Sequence, residues 1–196
     1  MKWLERNWPV STIFLAVFLT LMLVVFVRHD WGLFLIWAQL PVYFIHQFEE
    51  YVLPGGFAKF FNRYTLGSAR DDWPLTLVSS VWINLPIVFI AFPVSAVLAT
   101  ELGLSYGLWI IYFSMANALS HVVMLIIFRR YNPGLVASVV LNIPVGIWAI
   151  IYLSSHNLVS LTSNIVGLVI GLAVQVALMV YGFAFLKPLI RAAANA

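Results

Sequence analysis

The chain has 196 residues, 63% of them hydrophobic and only 9% charged, with a mean hydropathy of +1.01. A soluble domain carries roughly 25% charged residues, and a water-soluble fold of this composition would have more apolar residues than interior to hold them. The net charge of +3 comes from Lys and Arg scattered singly or in pairs, which excludes a nucleic-acid patch, and the absence of cysteine excludes disulfides, Cys-based zinc sites and thiol nucleophiles.

About 20 apolar residues are needed to cross the hydrocarbon core as a helix. Six stretches meet that length: Val10–Val27, Trp31–Leu53, Leu75–Leu98, Tyr106–Phe128, Leu135–Leu153 and Leu158–Leu186. No polar linker divides them, so residues 1–196 read as a single all-α domain, a polytopic transmembrane helical bundle. The first stretch follows Lys2 and Arg6 and is trailed by Val-Arg-His-Asp rather than a small-residue cleavage site, which predicts an uncleaved signal anchor.

Orientation follows from the positive residues. With the N-terminus inside, Lys2, Arg6, Lys59, Arg63, Arg70, Arg129, Arg130, Lys187 and Arg191 all fall on the inner side. Only Arg28 is left outside. The bias predicts six spans in a cytoplasmic-type (inner or plasma) membrane with both termini cytoplasmic.

One inner loop is long, Pro54–Pro74. Its FAKFFNRY segment is expected to form a short amphipathic helix at the interface. Asp71 or Asp72 before Trp73-Pro74 reads as the cap of the third span, and Asp30 as the cap of the second. An offset of 58 residues relates Asn84-Leu-Pro86 to Asn142-Ile-Pro144, Asn117 to Gln175 and Arg129 to Lys187, the trace of a weak internal repeat.

A charged side chain at mid-membrane costs about 2.5–3.5 kcal/mol on insertion scales, so ionisable residues inside spans are site candidates. They cluster twice. His46-Gln47-Phe48-Glu49-Glu50 places His46 and Glu50 four apart on one helix face, with Glu49 on the flank. Asn117 and His121 are likewise four apart in the fourth span. Both histidines precede the inner ends of their spans by the same distance, roughly 10 Å at 1.5 Å per residue. Two imidazoles and two carboxylates at one depth make a metal site or an acid/base pair. Ser120 is expected to bond back to its own helix. Asn84, Asn142 and Gln175 are expected to bond between helices, and Pro86 and Pro144 to kink theirs. Arg129-Arg130-Tyr131-Asn132-Pro133-Gly134 reads as a tight turn whose arginines suit a lipid phosphate.

The set HQFEE, NALSH and YNPG is similar to the pattern of the HXXEE-domain membrane proteins, a largely bacterial family. The matching positions are His46, Glu49 and Glu50; Asn117 and His121; and Tyr131, Pro133 and Gly134. The resemblance implies a site built from these residues and leaves its reaction unnamed.

Three functions remain open. In the first, the chain is a metal-dependent intramembrane enzyme, a hydrolase acting on a lipid-like or hydrophobic substrate near the cytoplasmic leaflet. His46, Glu50 and His121 would bind a divalent metal (zinc or iron), with Glu49 as general base and Asn117 orienting ligand or substrate. Arg129, Arg130 and Tyr131 would face substrate or headgroups, and the partners would be membrane lipids. In the second it is a small proton-coupled carrier. In the third the His-Glu cluster is a structural hydrogen-bond network.

Overall fold

The computed structural model describes residues 2–194, without the side chains of residues 2, 4–6 and 194, so those of Lys2 and Arg6 lie outside the described set. The described residues form helices and connecting turns, with no strand among them. Five helices are long and apolar enough to cross a membrane: Asn7–Val27, Leu77–Leu102, Leu104–Phe128, Leu135–Ser155 and Leu161–Ala193. This is an integral membrane protein.

In chain order, α1 is Lys2–Met22, running on through Leu23–Val27. Two shorter helices come next, α2 (Trp31–Trp37) and α3 (Gln39–Tyr51), separated by Ala38 alone. Pro41 explains the break, because it lacks an N–H for the carbonyl four residues back and its ring crowds that carbonyl. The long loop Pro54–Pro74 carries α4, Phe57–Phe60 continued by Phe61–Leu66. Then come α5 (Leu77–Leu102), α6 (Leu104–Phe128), α7 (Leu135–Ser155) and α8 (Leu161–Ala193).

Four of the long helices contain π turns: Leu23–Val27, Leu85–Ala91, Ser138–Asn142 and Tyr181–Leu186. Each of the last three ends two residues before a proline, Pro93, Pro144 or Pro188. A proline removes one helical bond and pushes against the preceding turn, and an i to i+5 turn accommodates both effects without ending the helix.

The residues Gln39–Phe44 of α3 are all buried, as befits a helix enclosed on every side. Around it, Leu35, Ile36, Phe92, Leu108, Ile111, Phe113 and Leu153 form one core. Helices α6 and α8 approach closely because α8 offers glycine there. A Cβ at Gly171 would lie 2.7 Å from the Phe113 nitrogen, and one at Gly167 2.6 Å from the Leu108 Cβ. Small residues spaced four apart permit such contacts between membrane helices. The outward faces of α1 and α8 stay apolar, with Phe14, Phe26, Leu161 and Phe185 exposed, which suits acyl chains and not water.

The two caps expected from aspartates divide. Asp30 Oδ1 accepts from the Leu33 amide at 2.9 Å and caps α2 as expected. The start of α5 is a correction. Thr76 is its N-cap, with Ser79 completing a capping box. Asp71 instead takes Lys59 at 2.8 Å and Arg63 at 3.0 Å, and Asp72 takes Arg70. Basic side chains on and beside α4 compete for these carboxylates, while Thr-x-x-Ser lies nearer the apolar run and caps it unaided.

Candidate metal centre

His46 and Glu50 stand one turn apart on α3, and His121 reaches them from α6. Glu50 Oε1 lies 3.6 Å from His46 Nε2 and 3.3 Å from His121 Nε2. One ligand atom from each of the three residues falls within 4.8 Å of the others. The relative exposures are 0% for His46, 5% for Glu50 and 1% for His121, so the cluster is buried.

Hydrogen bonds outside the cluster set the tautomers. The Asn132 amide donates through Nδ2 to the His121 carbonyl at 3.0 Å, which fixes which way the amide faces. Its Oδ1 therefore meets His121 Nδ1 at 2.6 Å, and an amide oxygen can only accept. In the neutral ring the His121 proton is therefore on Nδ1, which leaves Nε2 a lone pair toward Glu50. Ser138 does the same for His46. Its hydroxyl donates to the Gly134 carbonyl at 2.6 Å and so can only accept from His46 Nδ1, 3.4 Å away. His46 Nε2 is buried with no hydrogen-bond partner. Metal-ligating histidines are held in this way, with the far nitrogen donating to an oxygen and the near one free. Two atoms on a tetrahedral ion with bonds of about 2.0–2.1 Å sit roughly 3.3 Å apart, close to the Glu50 separations. Those separations exceed the usual span of an N–H···O bond, about 2.7–3.2 Å. The group can hold a metal ion.

Glu49 lies outside this trio. Its Oε1 accepts from the Tyr131 hydroxyl at 2.7 Å and the Val136 amide at 3.0 Å, and its Oε2 accepts from the Ala137 amide at 2.6 Å. It thus satisfies the first turn of α7 from a neighbouring helix, with its charge at the positive end of the dipole. Burial, then the bond to Glu49, raises the Tyr131 phenol above its ordinary pKa, so it remains a donor.

Gly134 brings the turn against the site. Its φ is +98°, and a Cβ there would lie 2.6 Å from His121 Cε1 and 3.0 Å from Glu50 Cγ. Only glycine meets both demands. Phe57 of α4 covers the other side, with its ring centroid 5.4 Å from that of His121.

The remaining expected residues are dispersed. Asn117 donates to Gln175 Oε1 at 3.4 Å, and its Oδ1 is buried without a partner. Ser120 bonds back to the Asn117 carbonyl, Gln47 donates to Asn84, and Asn142 donates to Ser114, as membrane-helix amides and hydroxyls commonly do. Arg129 is exposed, with a left-handed backbone that ends α6. Arg130 bonds the Tyr64 hydroxyl at 2.9 Å and lies over its ring. Asn132 and Ser138 were missed as site residues. An Asn before Pro-Gly signals only a turn, and a lone Ser in an apolar helix signals only self-bonding. One available sign was that Ser138 stands four residues beyond Gly134, in reach of its carbonyl.

Beside the cluster, α3, α4, α5, α6 and α8 enclose a cavity of about 460 Å³. Glu50 and His121 form part of its wall, and most of the rest is apolar.

These features define a helical membrane protein with a buried two-histidine, one-carboxylate cluster facing an apolar cavity. The chain belongs to the family described as proteins of unknown function with an HXXEE motif, which it matches over residues 37–149. That stretch holds every residue of the cluster and its supports, while α1 and α8 lie outside it. No curated protein and no solved structure matches the chain.

Proposed function

We propose that the protein is a metal-dependent enzyme of a cytoplasmic-type membrane, a hydrolase acting on a lipid-like or hydrophobic substrate near the cytoplasmic leaflet. His46, Glu50 and His121 hold a divalent metal, zinc or iron. The observation that carries this reading is the convergence of three lone-pair-bearing atoms in a buried site, with both imidazole N–H groups turned away toward Ser138 and Asn132. Buried acceptors facing one another repel unless a cation lies among them. Two His and one carboxylate leave coordination positions open, as catalytic zinc and non-haem iron sites do. A cation there supplies Lewis acidity to a substrate oxygen.

The chain's own residues divide the remaining work. Ser138 and Asn132 fix the imidazoles. Glu49, first expected as general base, has its lone pairs engaged by three donors and is better read as the anchor of α7. Glu50 stands on the cavity wall, so a metal it holds would face the space a substrate occupies. Asn117 positions the substrate. With α2 and α3 together as the second span, the charge bias supports six spans and cytoplasmic termini, and Arg129 and Arg130 then meet lipid headgroups.

Elemental analysis of the purified protein tests the reading. About one metal per chain is expected, falling below a tenth of that in His46→Ala and in His121→Ala while helicity by circular dichroism is kept. A metal-free wild type contradicts it. Metal-free protein with uptake driven by a pH gradient favours a carrier, and metal-free protein without uptake favours a structural network.

A further inference from the structure

A groove between α5 and α8, lined by Trp82, Pro86, Ile87 and Ala177 among others, adjoins the cavity, with Ile83, Leu178 and Tyr181 as their common wall. Both helices are long apolar spans, so the groove faces the bilayer, and Trp82 on its rim is 56% exposed. Displacement of these three side chains would join acyl chains to the cavity beside Glu50 and His121. At about 460 Å³ the cavity lies within the usual range for small-molecule sites, roughly 300–1,000 Å³.

The wall also specifies the head of the molecule that enters. Among the described residues it has no Lys and no Arg, and a metal on Glu50 and His121 would add the cation it lacks, so selection of the head by the protein's own groups is read in chelator-treated protein. Phosphate and carboxylate heads are ordinarily received by Lys or Arg. The polar part of the wall is neutral, and most of its groups are already engaged. Asn84 bonds Gln47, Ser80 and Tyr51, and Ser120 bonds its own helix. Gln175 Oε1 receives the Asn117 amide. Asn117 Oδ1 remains a buried acceptor with no donor, and leaving it so costs about 1–3 kcal/mol.

We propose that the cavity binds an uncharged single-chain amphiphile with a donor in its head, an alcohol, a hydroxyl-bearing ester such as a monoacylglycerol, or an N–H amide lipid. It enters from the bilayer between α5 and α8 and donates an O–H or N–H to Asn117 Oδ1. This deepens the enzymatic reading by naming its substrate class, and it rests on that reading only for the chemistry after binding.

Photo-crosslinking in nanodiscs tests it with two diazirine probes of equal chain length, a monoacylglycerol and a free fatty acid. The monoacylglycerol is expected to label residues flanking the groove, with the fatty acid labelling them at a tenth or less. Leu178→Trp, which fills the shared wall, removes that labelling, and Asn117→Leu lowers it about tenfold. Circular dichroism checks that both variants fold. Equal labelling by the two probes, or labelling indifferent to Leu178→Trp, overturns the proposal. Labelling that persists in a protein found to bind no metal defeats the enzyme and leaves the lipid site standing. Bound metal without groove labelling does the reverse.

Discussion

Asn132 decides which nitrogen of His121 faces Glu50, and it does so with two bonds of one side chain. Replacing it by Ala frees the ring to rotate and to change tautomer. Metal affinity should fall about 10–100-fold, the usual cost of losing such a support, as measured by competition with a chelator. An unchanged affinity would mean that the His121 orientation is set elsewhere. Gly134→Ala acts on the same ring by collision and also strains a backbone at φ +98°. It should lower the melting temperature and release metal together, with about 1–3 kcal/mol at stake in the strained backbone alone. At this scale the sequence disclosed His46, Glu50 and His121, because ionisable residues are conspicuous in apolar helices. It did not disclose Asn132 or Ser138, whose roles depend on a turn folding back across the cluster. It also set the adjacent glutamates apart, since a helix projects them about 100° from each other and Glu50 shares the face of His46, but it did not disclose that Glu49 would bond α7.

Helix α7 starts where Glu49 reaches it. The amides of Val136 and Ala137 bond a carboxylate from α3, so the two elements are tied at the level of the site. Glu49→Ala should destabilise the protein by about 1–2 kcal/mol through loss of the cap while metal stays bound, measured by unfolding in detergent and elemental analysis. Lost activity at unchanged stability would restore Glu49 to the base role. Outside the membrane, Asp71 is held below the usual carboxylate range, chiefly by its bond to Lys59 and also by Arg63. A lowered folded-state pKa gives stability that is present above the unfolded value and is lost as pH falls through the folded one. Amide protection across Phe57–Leu66, taken relative to the intrinsic exchange rate at each pH, should therefore fall below about pH 4 and stay constant from pH 5 to 8. Constant protection down to pH 2 would show that Asn62 clamps the loop alone, through its bonds to Asp71 and Leu75. Helix existence was legible from apolar runs. Helix starts were less so, since Thr76 outcompeted two aspartates already occupied by basic neighbours from α4.

For the whole molecule, hydropathy revealed the membrane class but not which helix would be central. The pair α2 and α3 carries the site, is broken at Ala38 and is the most enclosed. Enclosure is a property of its neighbours, and no periodicity in its own residues displays it. The equal depth of His46 and His121 was readable from span ends, and the fold turns that coincidence into a ring-to-ring distance of 4.7 Å. Asn117 bonds Gln175 and Ser105 bonds Ser163 across the α6–α8 contact. X-ray absorption at the edge of the metal in the purified protein tests the central claim most directly. The expected spectrum has a first shell of nitrogen and oxygen near 2.0–2.1 Å with outer scattering from two imidazoles, reduced to one in His121→Ala. A shell of oxygen alone, or a spectrum unchanged by that substitution, would contradict the account.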